Sequence, residues 1–152
     1  MPRQITAFSN PIVKQARQLR EKKHRRAEGR FLAEGLRILT EARESGVLPE
    51  TLFFSEAGHP LLRTLIEAVE TAGGEAIETT ADILHKISGK ENPQTVLGVF
   101  KAFDTSLTAI DRRAAPLWIV AQALRDPGNI GTILRTGDAV GAGTEKPPSG
   151  VS

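Results

Sequence analysis

Asp126-Pro127-Gly128-Asn129-Ile130-Gly131-Thr132-Ile133-Leu134-Arg135 is the stretch of this chain best placed to do chemistry. It follows the apolar run Leu117 to Ala123 and opens an amphipathic pattern, the layout of strand, tight turn and helix. α/β proteins use that layout to bring backbone amides and a few side chains to a ligand. Gly128 and Gly131 let the backbone approach a ligand closely, and a helix N-terminus favours an anion such as phosphate. Asn129 stands where a helix N-cap is expected, and capping the first amides would by itself explain it. Arg135, six residues on, offers a fork of donors for a phosphate or a polarised ribose oxygen. A solvated surface arginine would look the same. Taken singly, each residue is explained most economically by its structural role.

Positioning that turn requires a strand before it and a packed helix after it. Pro116-Leu117-Trp118-Ile119-Val120 reads as a buried strand, with Trp118 in the core. After Asn129, Ile130, Ile133, Leu134 and Gly137 recur at i, i+3, i+4 and i+7, a single helical face that would pack on a sheet. Gly141-Ala142-Gly143 would end the helix. Residues 104–115 lose apolar periodicity and carry charge, which suits a linker between two units.

Upstream, strands alternate with helices. Ser9-Asn10-Pro11 starts a helix, with Asn10 as cap and Pro11 at the first helical position. The basic cluster Lys22-Lys23-His24-Arg25-Arg26 continues it to Gly29. Strands are expected at 30–34, 51–55, 75–78 and 95–100, and helices at 36–45, 60–71 and 81–87. Phe53 and Phe54 fall in a strand and read as core. This alternation predicts an α/β layered sandwich with a mostly parallel sheet.

Composition narrows the class. The 152 residues are 39% hydrophobic and 25% charged, enough apolar content for a packed core. There is no cysteine, which excludes disulfides and thiolate metal sites. No apolar run is long enough to span a bilayer, and the first residues lack the apolar segment of a secretory signal. The chain therefore reads as soluble and cytoplasmic, without a membrane partner. Its net charge of +2 hides an asymmetry: residues 1–30 hold nine Lys/Arg against Glu21 and Glu28, a net of +7, leaving −5 elsewhere. A basic arm on an acidic body suits an anionic partner such as nucleic acid, although a solvated helix face has the same composition. Ser88-Gly89-Lys90 ends like a phosphate loop but lacks the earlier glycine that the motif requires. His24, His59 and His85 lack ligand spacing, so no metal site is expected.

The full string from Val120 to Ala142 closely resembles the first motif of the SpoU (TrmH-type) RNA ribose 2′-O-methyltransferases of the SPOUT superfamily. Arg26, Gly29-Arg30-Phe31-Leu32-Ala33-Glu34-Gly35, Glu41-Ala42 and Asn92-Pro93-Gln94-Thr95-Val96-Leu97-Gly98-Val99 are similar to the RNA-substrate-binding domain that precedes the catalytic domain in that family. The resemblance covers roughly residues 5–142. It implies a ribosomal-protein-like α/β/α sandwich at 1–103, a linker at 104–115, and the first β-α unit of a trefoil-knot domain at 116–143. The family's motif asparagine falls on Asn129 and its motif arginine on Arg135, by the target ribose, as candidate catalytic residues. A guanidinium stays protonated, so Arg135 is better suited to hold a phosphate or lower the hydroxyl's pKa than to act as a base. Lys14, Arg17, Lys22, Lys23, Arg25, Arg26 and Arg30 are the candidate RNA contacts, on ribosomal or transfer RNA.

The resemblance stops at about residue 143. Thr144 to Ser152 form a polar tail with two prolines and no run able to form a buried strand. In the complete family enzyme, later motifs build the knot that holds S-adenosylmethionine and most of the homodimer surface. The expectation is thus a C-terminally truncated or frameshifted methyltransferase that binds no cofactor and is inactive alone. A non-catalytic RNA-binding module is the alternative. A nonfunctional fragment, with an exposed sheet edge at Leu117–Ala123, is another.

Overall fold

The computed structural model describes residues 2–92, 94–111, 113–114, 116–123 and 125–142, apart from the side chain of Leu107. Expectations touching Pro93, Leu124, Gly143 and the 144–152 tail lie outside the described residues. The chain divides into two compact units, 1–103 and 104–152.

The first unit runs β1 (Arg3–Gln4), α1 (Pro11–Gln18), α2 (Lys22–Glu28), β2 (Arg30–Glu34), α3 (Leu36–Glu44), β3 (Thr51–Phe54), α4 (Pro60–Thr71), β4 (Glu75–Glu78), α5 (Ala81–Ser88) and β5 (Val96–Lys101). Its five strands form one sheet in the order β1-β4-β3-β5-β2. Alternation of side chains along the central strands sends one set to each face. Phe53, Ile77, Leu97 and Val99 join Val13, Ala16 and Leu19 of the α1 segment and Ile83, Leu84 and Ile87 of α5. Leu52, Phe54, Ala76, Val96 and Phe100 join Leu39 of α3 and Leu62, Leu65, Ile66 and Val69 of α4. The result is the expected α/β/α sandwich. Phe53 and Phe54 are core, one on each face.

The sheet is not mostly parallel. β4 is parallel to β1 and β3, whereas β5 is antiparallel to β3 and β2. Alternating strands and helices do not fix strand direction by themselves. β5 begins at the end of the sheet where β4 leaves it, Phe54 pairing with both Glu78 and Val96, and Ser55 N donates to Thr95 O at 3.1 Å there. β1 was not foreseen. Its two residues are exposed and carry no apolar signal; they join by pairing Arg3 with Ile77 and Gln4 with Glu78. The buried Thr79 hydroxyl, donating to Ile5 O at 2.7 Å, then ties the N-terminal segment to the end of β4.

The basic segment is two helices rather than one. α1 stops at Leu19, and Arg25 reaches back from α2 to donate to the carbonyls of Leu19 (3.0 Å) and Arg20 (2.6 Å). A guanidinium at a helix C-terminus satisfies carbonyls the helix leaves open. Gly29 ends α2 with φ of 61°, in the left-handed region that glycine adopts without a steric cost.

The second unit, among its described residues, holds a 3₁₀ turn at Leu107–Ala109 and one helix, α6 (Pro127–Ala139). Before the turn, the Ser106 backbone amide donates to Asp104 Oδ1 at 2.9 Å. That bond holds the Asp104 carboxyl below its ordinary range, so its contribution is lost as pH falls through the lowered value. The buried strand expected at 116–120 is absent. Leu117 makes one isolated parallel bridge to Ala142, and Val120 is 93% exposed. A strand needs a neighbour for its amides and carbonyls, and the described residues of this unit supply none beyond that bridge. The expected sheet edge at Leu117–Ala123 is therefore an exposed apolar segment, and Trp118 is not a core residue. Among the described residues of the chain, no helix is long and apolar enough to cross a membrane.

Candidate functional site

The positive side chains of α1 and α5 converge because those helices share one core face. Val13 and Ala16 of α1 and Ile83 and Ile87 of α5 are buried together, which turns Lys14, Arg17 and Lys86 outward on neighbouring elements. Two clefts open there, of about 950 and 410 Å³, and Phe8, Arg17, Gln18 and Lys86 line both. The smaller is completed by Ser9 and Lys14. The larger also takes in Arg20, His24 and His85 together with the acids Glu21 and Asp82. Arg20 lies against Gly89, which ends α5 with φ of 70°, in the left-handed region, and its guanidinium rests over that glycine at the cleft wall.

The seven basic residues singled out in the sequence separate into two kinds. Lys14 and Arg17 line the smaller cleft, and Lys22, Lys23 and Arg26 are exposed on α2. Arg25 is half-buried and engaged with the end of α1. Arg30 is paired with Glu50 at 2.6 Å, on a strand rather than in the cleft. Phe8, Lys86 and Arg20 are among the cleft residues that the sequence did not single out as a site. A phenylalanine immediately ahead of the helix start Ser9-Asn10-Pro11, next to a basic helix, was the available signal.

Two motif segments from opposite ends of the first unit meet at Glu34. Its side chain is only 9% exposed; one oxygen pairs with Lys90 at 2.7 Å and the other accepts the Gln94 amide at 2.8 Å. The carboxylate thereby anchors the loop entering β5 to the edge strand β2. Glu34→Ala is expected to cost about 2 kcal/mol of unfolding free energy, the scale of hydrogen bonds to a charged group. Urea denaturation would measure it, and Glu34→Gln, which keeps an acceptor for Gln94, should lose less.

In the second unit the helix starts earlier than Asn129. Asp126 is the N-cap, with Oδ1 accepting the Gly128 amide at 2.8 Å, and Pro127 is the first helical residue. Proline lacks the amide that would go unpaired there, and its fixed φ suits the first turn. Asn129 is thus within that first turn and exposed, not its cap. Thr132 Oγ1 donates to Gly128 O at 3.0 Å. Arg135 is exposed and folds back along the helix, its Nη2 3.4 Å from Thr132 Oγ1 and its guanidinium over Gly131. Helical side chains lean toward the N-terminus, so Arg135 approaches the turn that carries Asn129. No hydrogen bond joins Arg135 to Asn129 among the described residues. Of the expected packing face, Gly137 is buried beneath Ile119, while Ile130 and Leu134 are exposed. The packing face is narrower than the periodicity implies because the described residues of this unit form no sheet to cover it.

Residues 10–98 match the family model of the MRM3-like substrate binding domain. Among curated relatives, rRNA methyltransferase 3, mitochondrial, of Xenopus tropicalis is 35% identical over 131 residues, covering 84% of this chain and 30% of its own length. A 23S rRNA guanosine 2′-O-methyltransferase of Bacillus subtilis is 31% identical, covering 91% of this chain and 52% of its own length. The SpoU methyltransferase AviRb of Streptomyces viridochromogenes, solved with its cofactor AdoMet, superposes with a TM-score of 0.72 at 29% identity, over 88% of this chain and 51% of that one. The chain spans from under a third to about half of these proteins. The matched domain, the Asp126–Arg135 turn and the sandwich fold lead to one conclusion: the chain belongs to the SpoU (TrmH-type) RNA methyltransferase family, carrying its substrate-binding domain and the first motif of its catalytic domain.

Proposed function

We propose that the chain is the RNA-gripping part of an RNA 2′-O-methyltransferase. Lys14, Arg17 and Lys86 would hold the phosphate backbone at the α1–α5 cleft, extended along α2 by Lys22, Lys23 and Arg26. The observation that carries this reading is the smaller cleft, which has three cations and no acid in its lining. Arg25 and Arg30, engaged within the chain, would act on structure rather than on RNA. In the complete enzyme the methyl group would pass from S-adenosylmethionine to a ribose 2′-hydroxyl of ribosomal or transfer RNA. Asn129 and Arg135 would stand by the target ribose, with the Arg135 fork on the adjacent phosphate.

The described residues do not by themselves fit the methyl donor. Residues 104–142 offer one helix with Ile130 and Leu134 exposed and an open apolar segment, and these do not wall off a nucleoside-sized group. We therefore infer that the 152 residues alone bind RNA without transferring methyl. Calorimetry of this polypeptide is expected to give no heat with S-adenosylmethionine, while its RNA affinity falls linearly in log–log form with salt. Measurable binding of the methyl donor would refute the first half, and an RNA affinity indifferent to salt would refute the second.

A further inference from the structure

We propose that the smaller cleft takes one unpaired RNA nucleotide, its base stacked on Phe8 and its phosphate held by Lys86, Arg17 and Lys14. The proposal rests on the RNA-binding reading and adds to it a strand preference and a base contact.

Phe8 is 45% exposed and belongs to neither core cluster. Its backbone is nonetheless held in a turn. The Asn10 amide donates to Ala7 O at 3.1 Å, closing a turn around it, and Asn10 then caps α1 ahead of Pro11. A phenylalanine ring left nearly half exposed forgoes much of the burial that usually accounts for the residue and leaves aromatic surface within reach of a ligand. Against that ring stands the Lys86 ammonium, 4.5 Å from the centroid. Lys86 is exposed, and among the described residues no carboxylate pairs with it. Its long stem lets the ammonium leave the ring for a phosphate while the ring accepts a base.

The rest of the lining has the chemistry a nucleotide needs. Arg17 and Lys14 come from α1, Gln18 brings an amide with both donors and an acceptor for a base edge, and Ser9 brings a hydroxyl. A volume of about 410 Å³ lies in the range of small-ligand sites. An aromatic platform bordered by cations is the arrangement that binds single strands, since in a duplex the base faces are already stacked.

The test compares binding of the 152-residue protein to a single-stranded RNA of about ten nucleotides and to a duplex of the same length. Fluorescence anisotropy would be followed across a salt series for wild type, Phe8→Ala, Phe8→Leu and Phe8→Trp. Losing a stacked base should weaken single-strand binding about 5- to 50-fold in Phe8→Ala and Phe8→Leu, with the salt slope and duplex affinity unchanged. Leucine keeps the apolar bulk without the flat π-face, so the same loss there separates stacking from packing. Phe8→Trp should retain affinity, and RNA should quench its added fluorescence beyond the change in Trp118, the tryptophan already present. Unchanged single-strand affinity in Phe8→Ala and Phe8→Leu would overturn the proposal while leaving the RNA-binding reading intact, and so would an equal loss on duplex. A wild-type protein that binds neither RNA would overturn both.

Discussion

Phe53→Ala is expected to lower the unfolding free energy by about 3–5 kcal/mol, the usual cost of deleting a buried aromatic ring. Phe53 is fully buried on β3, which has β4 on one side and β5 on the other. Its ring lies in the cluster that seats α1 and α5, with Val13, Leu19 and Ile87 among its members. The surrounding strands are hydrogen-bonded on both sides of β3, so the cavity cannot readily collapse. A domain of this size has roughly 5–15 kcal/mol of stability in all, and the variant would lose a large share of it. The effect should extend to function, since the two helices that wall the clefts rest on this face. Equilibrium urea unfolding followed by circular dichroism would measure it. A loss below about 1 kcal/mol would mean that the α1–α5 layer is not anchored as described.

Much of the first unit was legible because its signals are local. Asn10-Pro11 announces the start of α1, and Leu62, Leu65, Ile66 and Val69 trace the buried stripe of α4 at helical spacing. What escaped depends on distant partners. Arg3 and Gln4 form a strand only because β4 is there to pair with. The direction of β5 depends on the end of the sheet at which the chain re-enters after α5, which no period of two or 3.6 encodes. In the second unit, the Asx-Pro signature read at Asn10-Pro11 also occurs at Asp126-Pro127, and there the more prominent Asn129 obscured it. The apolar run at 117–120 carried the composition of a strand without a neighbouring strand to complete one.

The candidate interface was legible as charge and not as geometry. A run of cations looks uniform in sequence, yet Arg25 is consumed by the carbonyls that end α1 and Arg30 by Glu50, while Lys14 and Arg17 remain open. Lys86 and Phe8 are 78 positions apart in the numbering and meet only because α5 packs on α1. The contributions of such residues cannot be sorted until the helices are docked.

Removing the cleft cations should therefore separate real phosphate contacts from bystanders. Lys14→Ala/Arg17→Ala/Lys86→Ala is expected to weaken RNA binding about a hundredfold at low salt, from ~1 kcal/mol for each lost contact. The slope of log affinity against log salt should become shallower by about 2 to 3, since each neutralised phosphate contact releases close to one counterion. Arg30→Ala is the single-charge control: it removes one positive charge, as each cleft substitution does, but from a side chain already held by Glu50. Under a purely global electrostatic attraction, each cation would count alike, and Arg30→Ala would shift the slope as much as any single cleft substitution. Under local contact, it should leave the slope almost unchanged, because the Debye length is about 10 Å at 0.1 M salt and a cation spent on a carboxylate is screened further. Filter binding across a salt series distinguishes the two. A triple variant with the wild-type slope would remove the α1–α5 cleft from the RNA path, whereas a flattened slope with the Arg30 control intact would place the phosphates there.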